Sequence, residues 1–317
     1  MNNYRKYKAV IIGCGKIGAE EWRYQESVRP ATHAAAYWNH PKIQLAGFCD
    51  VDLKKLKKVV KFFPGVPIYS SAKKMLEEIK PDIVSVATHS DTHFKFVNMA
   101  ANFGVKAIIC EKPVSNSLKG AEAMVRICKL RRCLLFVGHL RHFDPLISKW
   151  QEKVNNGVLG KILQVRCIYH NGALNNGTHT VDLLRWFLGG ASKVSGFYNF
   201  KTSNPRKDKN IDAVIYFKNN TKVVLQSVSQ RRRLTEWVFY GEKGELAIKK
   251  LGMEISYKNL KIGKPRSLMA PMVSHVVSCL EGKEKMVSTG QDGLAVLKIL
   301  FSIIKSAENN GKIMTIT

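Results

Sequence analysis

Val10-Ile11-Ile12-Gly13-Cys14-Gly15-Lys16-Ile17-Gly18 is the stretch on which the fold turns. An apolar run stops at three glycines spaced G-x-G-x-x-G. At the end of a first parallel strand, such glycines make a tight turn, let the backbone approach a dinucleotide pyrophosphate, and let the next helix pack close. Gly13, Gly15 and Gly18 are placed for those three tasks, with Lys16 and Ile17 between them. Glycine-rich turns that bind nothing share the pattern, so the surroundings decide.

The surroundings alternate. Short apolar runs at Lys8–Ile12, Ile43–Cys49, Asp82–Ala87, Ala107–Cys110 and Leu134–Gly138 read as buried parallel strands. Helical stretches lie between them at Ala31–Trp38, Leu53–Phe62, Ala72–Ile79, Thr92–Phe103 and Leu118–Leu130. This predicts a doubly wound α/β Rossmann sheet over residues 1–143, with the glycines between strand and helix.

Beyond residue 144 the pattern changes. A linking helix, Pro145–Asn156, precedes strand-like runs at Ile162–Tyr169, Val194–Phe200, Ile211–Phe217, Thr221–Ser227, Trp237–Tyr240 and Glu245–Lys249. Helices are expected near Thr180–Leu188, Met272–Leu280 and Leu294–Asn309, with a last strand at Ile313–Ile316. Residues 144–317 are therefore expected to form an α+β domain on a largely antiparallel open sheet.

The 317 residues carry 51 Lys and Arg against 24 Asp and Glu, a net charge of +27. An anionic partner would explain that balance, and so would a solvated lysine-rich surface. The basic clusters are dispersed: Lys54, Lys55, Lys57, Lys58 and Lys61; Arg131 and Arg132; Arg206, Lys207 and Lys209; Arg231, Arg232 and Arg233. None reads as a recognition helix, so solvated faces are favoured over nucleic acid. Met1 to Lys8 are polar and basic without an apolar h-region, and no apolar run approaches the ~18 residues of a membrane span. A cytoplasmic protein without a membrane partner is expected. Seven scattered cysteines with no C-x-x-C pair argue against disulfides and zinc. Among the nine histidines no metal-ligand spacing is recognisable, Thr88-His89-Ser90-Asp91-Thr92-His93 included.

Three places carry chemistry. Asp50 ends the second strand, where a carboxylate accepts both ribose hydroxyls and repels a 2′-phosphate. That favours NAD, with NADP not excluded beside Lys54 and Lys55. Capping of the helix near Leu53 is the plainer use of Asp50. It falls 32 residues past Gly18, against the usual ~20. The excess is assigned to Ala19–Pro30, read as an insertion at the cofactor cleft or a long surface loop. Second, Glu111-Lys112-Pro113 follows a buried strand at the carboxyl edge of the sheet, where ligands bind. Lys112 there can hydrogen-bond a reacting hydroxyl, or be solvent-exposed. Third, Asn175-Asn176-Gly177-Thr178-His179 leads into a helix. His179 is the best-placed general base, or a capping residue, with Asn175 in the loop before it.

With these motifs together, the chain resembles the glucose–fructose oxidoreductase / inositol dehydrogenase (Gfo/Idh/MocA) family nearly end to end. The likeness runs through the glycine turn, Asp50, Thr88–His93, Glu111-Lys112-Pro113, Gly138-His139-Leu140-Arg141-His142-Phe143-Asp144-Pro145, Asn175–His179 and Gly241–Ile248. The resemblance implies an NAD(P) domain, with Gly13, Gly15, Lys16, Ile17, Gly18, Asp50, Thr88, His93, Glu111 and Lys112 at the cofactor. It implies a C-terminal domain whose open sheet mediates homo-oligomers, dimers or tetramers. It also implies hydride transfer at a ring carbon of a sugar, cyclitol or sugar nucleotide. Lys112 and His179 match the catalytic Lys and His, and Asn175, Arg141 and His142 are substrate-orienting candidates. Many dehydrogenases of the family carry Asp where this chain has Asn175. An amide positions a hydroxyl but carries no proton, which keeps a second expectation open: an NAD-binding regulatory or sensor protein without turnover.

Overall fold

The computed structural model describes residues 5–202, 208–232, 234–258, 260–264 and 266–316. Arg206, Lys207 and Arg233 of the basic clusters, and Met1 to Tyr4, lie outside them. The chain divides into two compact units, residues 1–143 with 266–294, and 144–265 with 295–317.

In the first unit, β1 (Tyr7–Ile12), β2 (Ile43–Cys49), β3 (Ile68–Tyr69), β4 (Ile83–Val86), β5 (Ala107–Cys110) and β6 (Leu134–Val137) form one parallel sheet in the order 3-2-1-4-5-6. Helices α1 (His33–Asn39), α2 (Leu53–Val59), α3 (Ala72–Ile79), α4 (His93–Asn102) and α5 (Leu118–Leu130) connect the strands. Every residue of β4 and β5 is buried, which is why these strands read as unbroken apolar runs. Hydroxyls and carboxylates at helix starts satisfy orphan amides: Asp52 accepts from Lys54 and Lys55, Ser71 from Lys74, and Ser117 from Gly120. Cys49 and Cys110 are buried strand residues, as expected.

Asp82 fastens the amino ends of three strands. Its carboxylate accepts the Lys8 amide at 3.0 Å and the Lys106 ammonium at 2.8 Å, and its carbonyl accepts the amides of Lys106 and Ala107. Burial pushes this carboxyl up, but the bonds from Lys106 and Lys8 outweigh burial and hold it below the usual range. A carboxyl lowered by folding stabilises above its unfolded pKa of ~3.9, and that stabilisation is lost as pH falls through the folded value. Asp82→Ala is therefore expected to cost about 1–3 kcal/mol at neutral pH. The gap from the parent should close in acid, as denaturant melts at both pH values will show.

Residues 266–294, assigned from sequence to the second domain, pack in the first unit. Helix α8 (Met269–Leu280; numbered in chain order after the elements below) buries Met269, Met272, Val273, Val276 and Val277 with Phe136 and Phe143. Ser288 then pairs with Val137, and Thr289 bridges Phe136, so the open edge of β6 is covered. The sequence periodicity showed a helix there but not the sheet that it would cover.

The second unit begins with α6 (Pro145–Asn155), capped by Asp144. It continues with β7 (Ile162–His170), α7 (Gly177–Leu188), β8 (Ala191–Tyr198), β9 (Ile211–Phe217), β10 (Lys222–Val228), β11 (Glu236–Gly241), β12 (Gly244–Lys249), β13 (Glu254–Tyr257) and β14 (Leu260–Ile262). Helix α9 (Gly290–Glu308) and β15 (Met314–Thr315) end the chain. The sheet order is 14-13-12-11-7-10-9-8-15, antiparallel except for the β7–β10 pair. Alternating residues of β9 and β10 enter a core with Val181, Leu184 and Leu188 of α7 and Ile299 and Ile303 of α9. Among the described residues, no helix is long and apolar enough to cross a membrane.

Candidate active site

The glycine turn sits where the sheet order reverses, between β1 and β4. Gly13 has φ +98°, and a Cβ there would lie 2.6 Å from the Ala87 carbonyl oxygen beyond β4. A Cβ on Gly18 would run into the Gly13 carbonyl. A Cβ on Gly15 would meet nothing within 4 Å. Two glycines thus serve close backbone packing, and the middle one leaves open space. That is the division of labour a pyrophosphate turn requires, and these residues fit a dinucleotide.

The insertion has a defined construction. Residues after Gly15 begin a helical turn, with the Ala19 amide donating to the Gly15 carbonyl. The carbonyls of Ile17 and Gly18 then accept from the amides of His33 and Ala34 at 3.1 and 2.9 Å. Those partners are sixteen residues apart instead of the four of an uninterrupted helix, so twelve residues are looped out of one helical ladder. The helix resumes at His33, with Thr32 as its cap, slightly later than expected. The looped segment docks on its own unit. The Glu21 carboxylate accepts the amides of Ala31 and Thr32 and the Thr32 hydroxyl, an anion at a helix start. Trp22 stacks on Phe62 at 4.3 Å beneath the Lys58 ammonium. Tyr24 lies under the Lys16 ammonium, 5.6 Å from it. Burial and the carboxylates of Glu111, Glu21 and Glu20 push the Tyr24 phenol up to about 12. Tyr24 thus stands near the glycine turn and Glu111, which its position in an irregular stretch gave no reason to expect.

Asp50 is buried, and its carboxylate accepts the Cys14 amide inside the turn at 2.7 Å and the Asp52 amide at 2.9 Å. The capping role weighed for Asp50 belongs to Asp52. Lys55 reaches to 4.0 Å from the Asp50 carboxylate, while Lys54, Lys57, Lys58 and Lys61 are exposed.

Beyond β4, the Thr92 hydroxyl donates to that of Thr88 at 2.7 Å. His93 is buried with Nε2 facing the Thr88 carbonyl and Nδ1 facing those of Pro113 and Val114. Burial pushes its imidazole below the usual range. Its ring is directed at backbone, so it ties the segment after β4 to the segment after β5.

Glu111 is buried at the end of β5, and Lys112 is half-buried beside it. The Lys112 amide donates to Glu111 Oε2 at 3.3 Å. His33 Nε2 lies 3.0 Å from Glu111 Oε1, and Ser85 Oγ lies 2.9 Å from His33 Nδ1. The Tyr37 hydroxyl is 2.6 Å from Ser85 Oγ. Burial raises the Glu111 carboxyl, but the His33 bond and the Lys112 charge outweigh it and hold the carboxyl below its usual range. A Cβ on Gly138, after β6, would lie 2.8 Å from Glu111 Oε1, so that glycine makes room for the carboxylate. A 3₁₀ turn, Leu140–Phe143, follows with Arg141 buried and His142 half-buried.

In the second unit, Asn175 is not in a loop. Gly172–Asn176 form a π-helical turn that runs directly into α7, and His179 is the third residue of α7. Three successive residues satisfy the amides at this start. Asn210 Oδ1 accepts from Gly172 at 2.8 Å, the Lys209 carbonyl from Ala173 at 3.0 Å, and Asp208 Oδ2 from Asn175 at 2.7 Å. Gly172, at φ +92°, admits the Asp208 side chain, with which a Cβ would collide. The Asn176 amide donates to His170 Nε2, whose Nδ1 faces the Leu234 carbonyl. Asp208 brings a carboxylate to the backbone of Asn175 from a lysine-rich stretch with no sequence signal. Arg231 and Arg232 are exposed. Among the described residues, no group of three His, Cys, Asp or Glu is placed to hold a metal ion.

Comparison with known proteins agrees with this geometry. Residues 7–139 match the family model of oxidoreductases with an NAD-binding Rossmann fold, and residues 171–247 match the GFO/IDH/MocA C-terminal domain. Inositol 2-dehydrogenase 2 of Saccharopolyspora erythraea is 27% identical over 194 residues, 56% of this chain and 53% of that protein. D-apiose dehydrogenase of Rhizobium rhizogenes is 26% identical over 250 residues, 73% of this chain and 68% of that protein. The chain thus spans about half the length of the first of these relatives. Among solved structures, the WlbA dehydrogenase of Bordetella pertussis, in complex with NADH and UDP-GlcNAcA, superposes with a TM-score of 0.83 at 19% identity over 99% of this chain and 98% of that one. The scyllo-inositol dehydrogenase of Lactobacillus casei, with bound NAD(H) and scyllo-inositol, gives 0.78 at 18% identity over 98% and 99%. At those identities the superpositions establish the fold. Matched in order by the family's N-terminal and C-terminal domain models, the chain belongs to the Gfo/Idh/MocA oxidoreductase family and carries its NAD-binding Rossmann domain.

Proposed function

We propose that this protein is an NAD-dependent oxidoreductase acting at a ring hydroxyl or keto carbon of a sugar, cyclitol or sugar nucleotide. The observation that carries this reading is Glu111-Lys112-Pro113 at the carboxyl end of β5, on the same sheet edge as the glycine turn and Asp50. Catalytic groups at that edge border the ligand crevice of an open α/β sheet. Bound NAD supplies the hydride acceptor. The glycine turn and Lys16 receive its pyrophosphate, and Asp50 its adenosine ribose. Lys112 directs its ammonium at the reacting oxygen and stabilises the alkoxide as it forms. His179 takes the hydroxyl proton as general base. Asn175, Arg141 and His142 orient the remaining hydroxyls. The net charge of +27 favours a phosphorylated or nucleotide-linked substrate. The second sheet is the surface through which copies of the chain would pair.

Purified protein should be examined for the absorbance and fluorescence of bound nicotinamide. It should then be assayed for NAD reduction against a panel of sugars, inositols and UDP-sugars. Turnover with one substrate class is expected. Clear NAD binding with no turnover on any of them would sink the enzyme assignment and leave the sensor. Asp50→Ala is expected to weaken NAD by about 10-fold or more, the value of a charge-assisted hydrogen bond, and NADP by less. Titrations of both nucleotides decide it, and a loss confined to NADP would contradict the ribose role.

A further inference from the structure

Behind Lys112 lies a row of polar side chains that the proposed chemistry does not use. Tyr37, Ser85 and His33 are each fully buried, and they come from α1 and β4. Buried polar groups are costly unless each finds a partner, and here the partners run in one direction. An ionised Glu111 can only accept, so His33 Nε2 donates to its Oε1, which leaves Nδ1 to accept from the Ser85 hydroxyl and Ser85 to accept from that of Tyr37. Reversing the row would leave the Tyr37 proton without the acceptor that it has here, so the network itself assigns the tautomer. Carboxylate, imidazole and hydroxyl stand in the order of a hydrolytic triad, but Ser85 and His33 have no exposed surface and meet no substrate.

The row ends on a carboxylate that a second feature keeps in place. Gly138 lacks the Cβ that would occupy the space of Glu111 Oε1. The other carboxylate oxygen accepts the amide of Lys112. Glu111 is thus held on one side by an imidazole and on the other by the backbone of the proposed catalytic lysine. Among the charged and titratable groups that act on it are His33, Lys112, Tyr24, His93 and Cys110. His33 is also the residue whose amide closes the ladder across the looped-out segment.

We propose that His33, backed by Ser85 and Tyr37, is a positioning residue that keeps Glu111 an ionised carboxylate in the interior and thereby fixes the backbone and charge of Lys112. The role of Lys112 rests on the function proposed above; the hold on Glu111 does not.

The test uses the full chain and three variants, His33→Phe, His33→Gln and the double variant H33F/E111Q. Infrared spectra at neutral pH read the carboxyl state directly. Deprived of its donor, Glu111 should take up a proton. H33F should therefore show a protonated-carboxyl band that is absent from the parent and from H33F/E111Q. In turnover, kcat of H33F should fall on the order of 10-fold to 10²-fold, the effect of a slightly misplaced catalytic group, with KM for NAD within about threefold. H33Q, whose amide can still donate to Glu111, should recover much of kcat and lose the band. A folded H33F without the band overturns the proposal, and so does an H33Q no better than H33F. Should H33F fail to fold, Ser85→Ala carries the test. It frees the ring to turn, so kcat should fall several-fold at unchanged KM for NAD, and an unchanged kcat overturns the proposal. Because the infrared result needs no turnover, an inactive parent would count against the proposed function alone.

Discussion

Gly18→Ala is expected to abolish NAD binding and to cost about 3 kcal/mol or more of folding stability. The added methyl would have to occupy the position of the Gly13 carbonyl, a backbone atom with no rotamer to yield. Gly13 has no room to turn toward β4, because a Cβ on it would already lie 2.6 Å from the Ala87 carbonyl oxygen. The Gly18 carbonyl is also one of the two acceptors that hold the start of α1. Overpacking of a rigid site costs about 1–3 kcal/mol and more where backbone must move. Here the displaced backbone is the glycine turn proposed to receive the pyrophosphate. Denaturant melts and NAD titrations of the variant check both halves. Gly15→Ala is the control, since a Cβ there meets open space in the protein. It should fold as the parent does while still obstructing the cofactor. A stable Gly18→Ala variant with parental NAD affinity would mean that the turn does not form as described.

Lys112→Ala is expected to lower kcat by about 10²-fold or more, and His179→Ala by a similar factor, the usual contribution of positioned proton-transfer and charge-stabilising groups. For Lys112 a second loss adds to the first. Its positive charge also acts on the buried Glu111, and removing it takes away part of what keeps that carboxyl ionised. Lys112→Arg should not restore the rate, because a planar guanidinium cannot place its charge where a compact ammonium did. Steady-state kinetics with the substrate found in the panel decide this. Parental kcat in either alanine variant would remove that residue from the chemistry.

Much of the fold was legible because its signals are local. β2, β5, α3 and α5 begin and end where the sequence reading put them, since buried parallel strands are short apolar runs and hydroxyl caps mark helix starts. What escaped depended on distant partners. β3 is two residues long, and β14 is wholly exposed, so neither has a pattern to read. The start of α7 was placed too late because its first turn holds no helical pattern of its own. The π-helical turn that leads into it is instead held from far along the chain, where Asp208 to Asn210 accept the amides of Gly172, Ala173 and Asn175. In the candidate site, the glycines, Asp50, Glu111 and Lys112 were visible as motifs. His33, Tyr37 and Ser85 were not, because each reads locally as an ordinary helix or strand residue. Only the sheet order brings them into one line with Glu111.

The spliced ladder at Ile17 and Gly18 also bears on how this chain can change. A segment that leaves and re-enters a helix within one turn has its two ends joined before its own length matters. Adding residues between them costs little more than the entropy of closing a longer loop, about 0.6 kcal/mol for each doubling, so long as the contacts of Glu21, Trp22 and Tyr24 are kept. The glycine turn before it and the helix after it stay in register. The stretch from Ala19 to Pro30 is thus a cassette beside the cofactor turn, free to acquire a new surface while the scaffold around it is held constant.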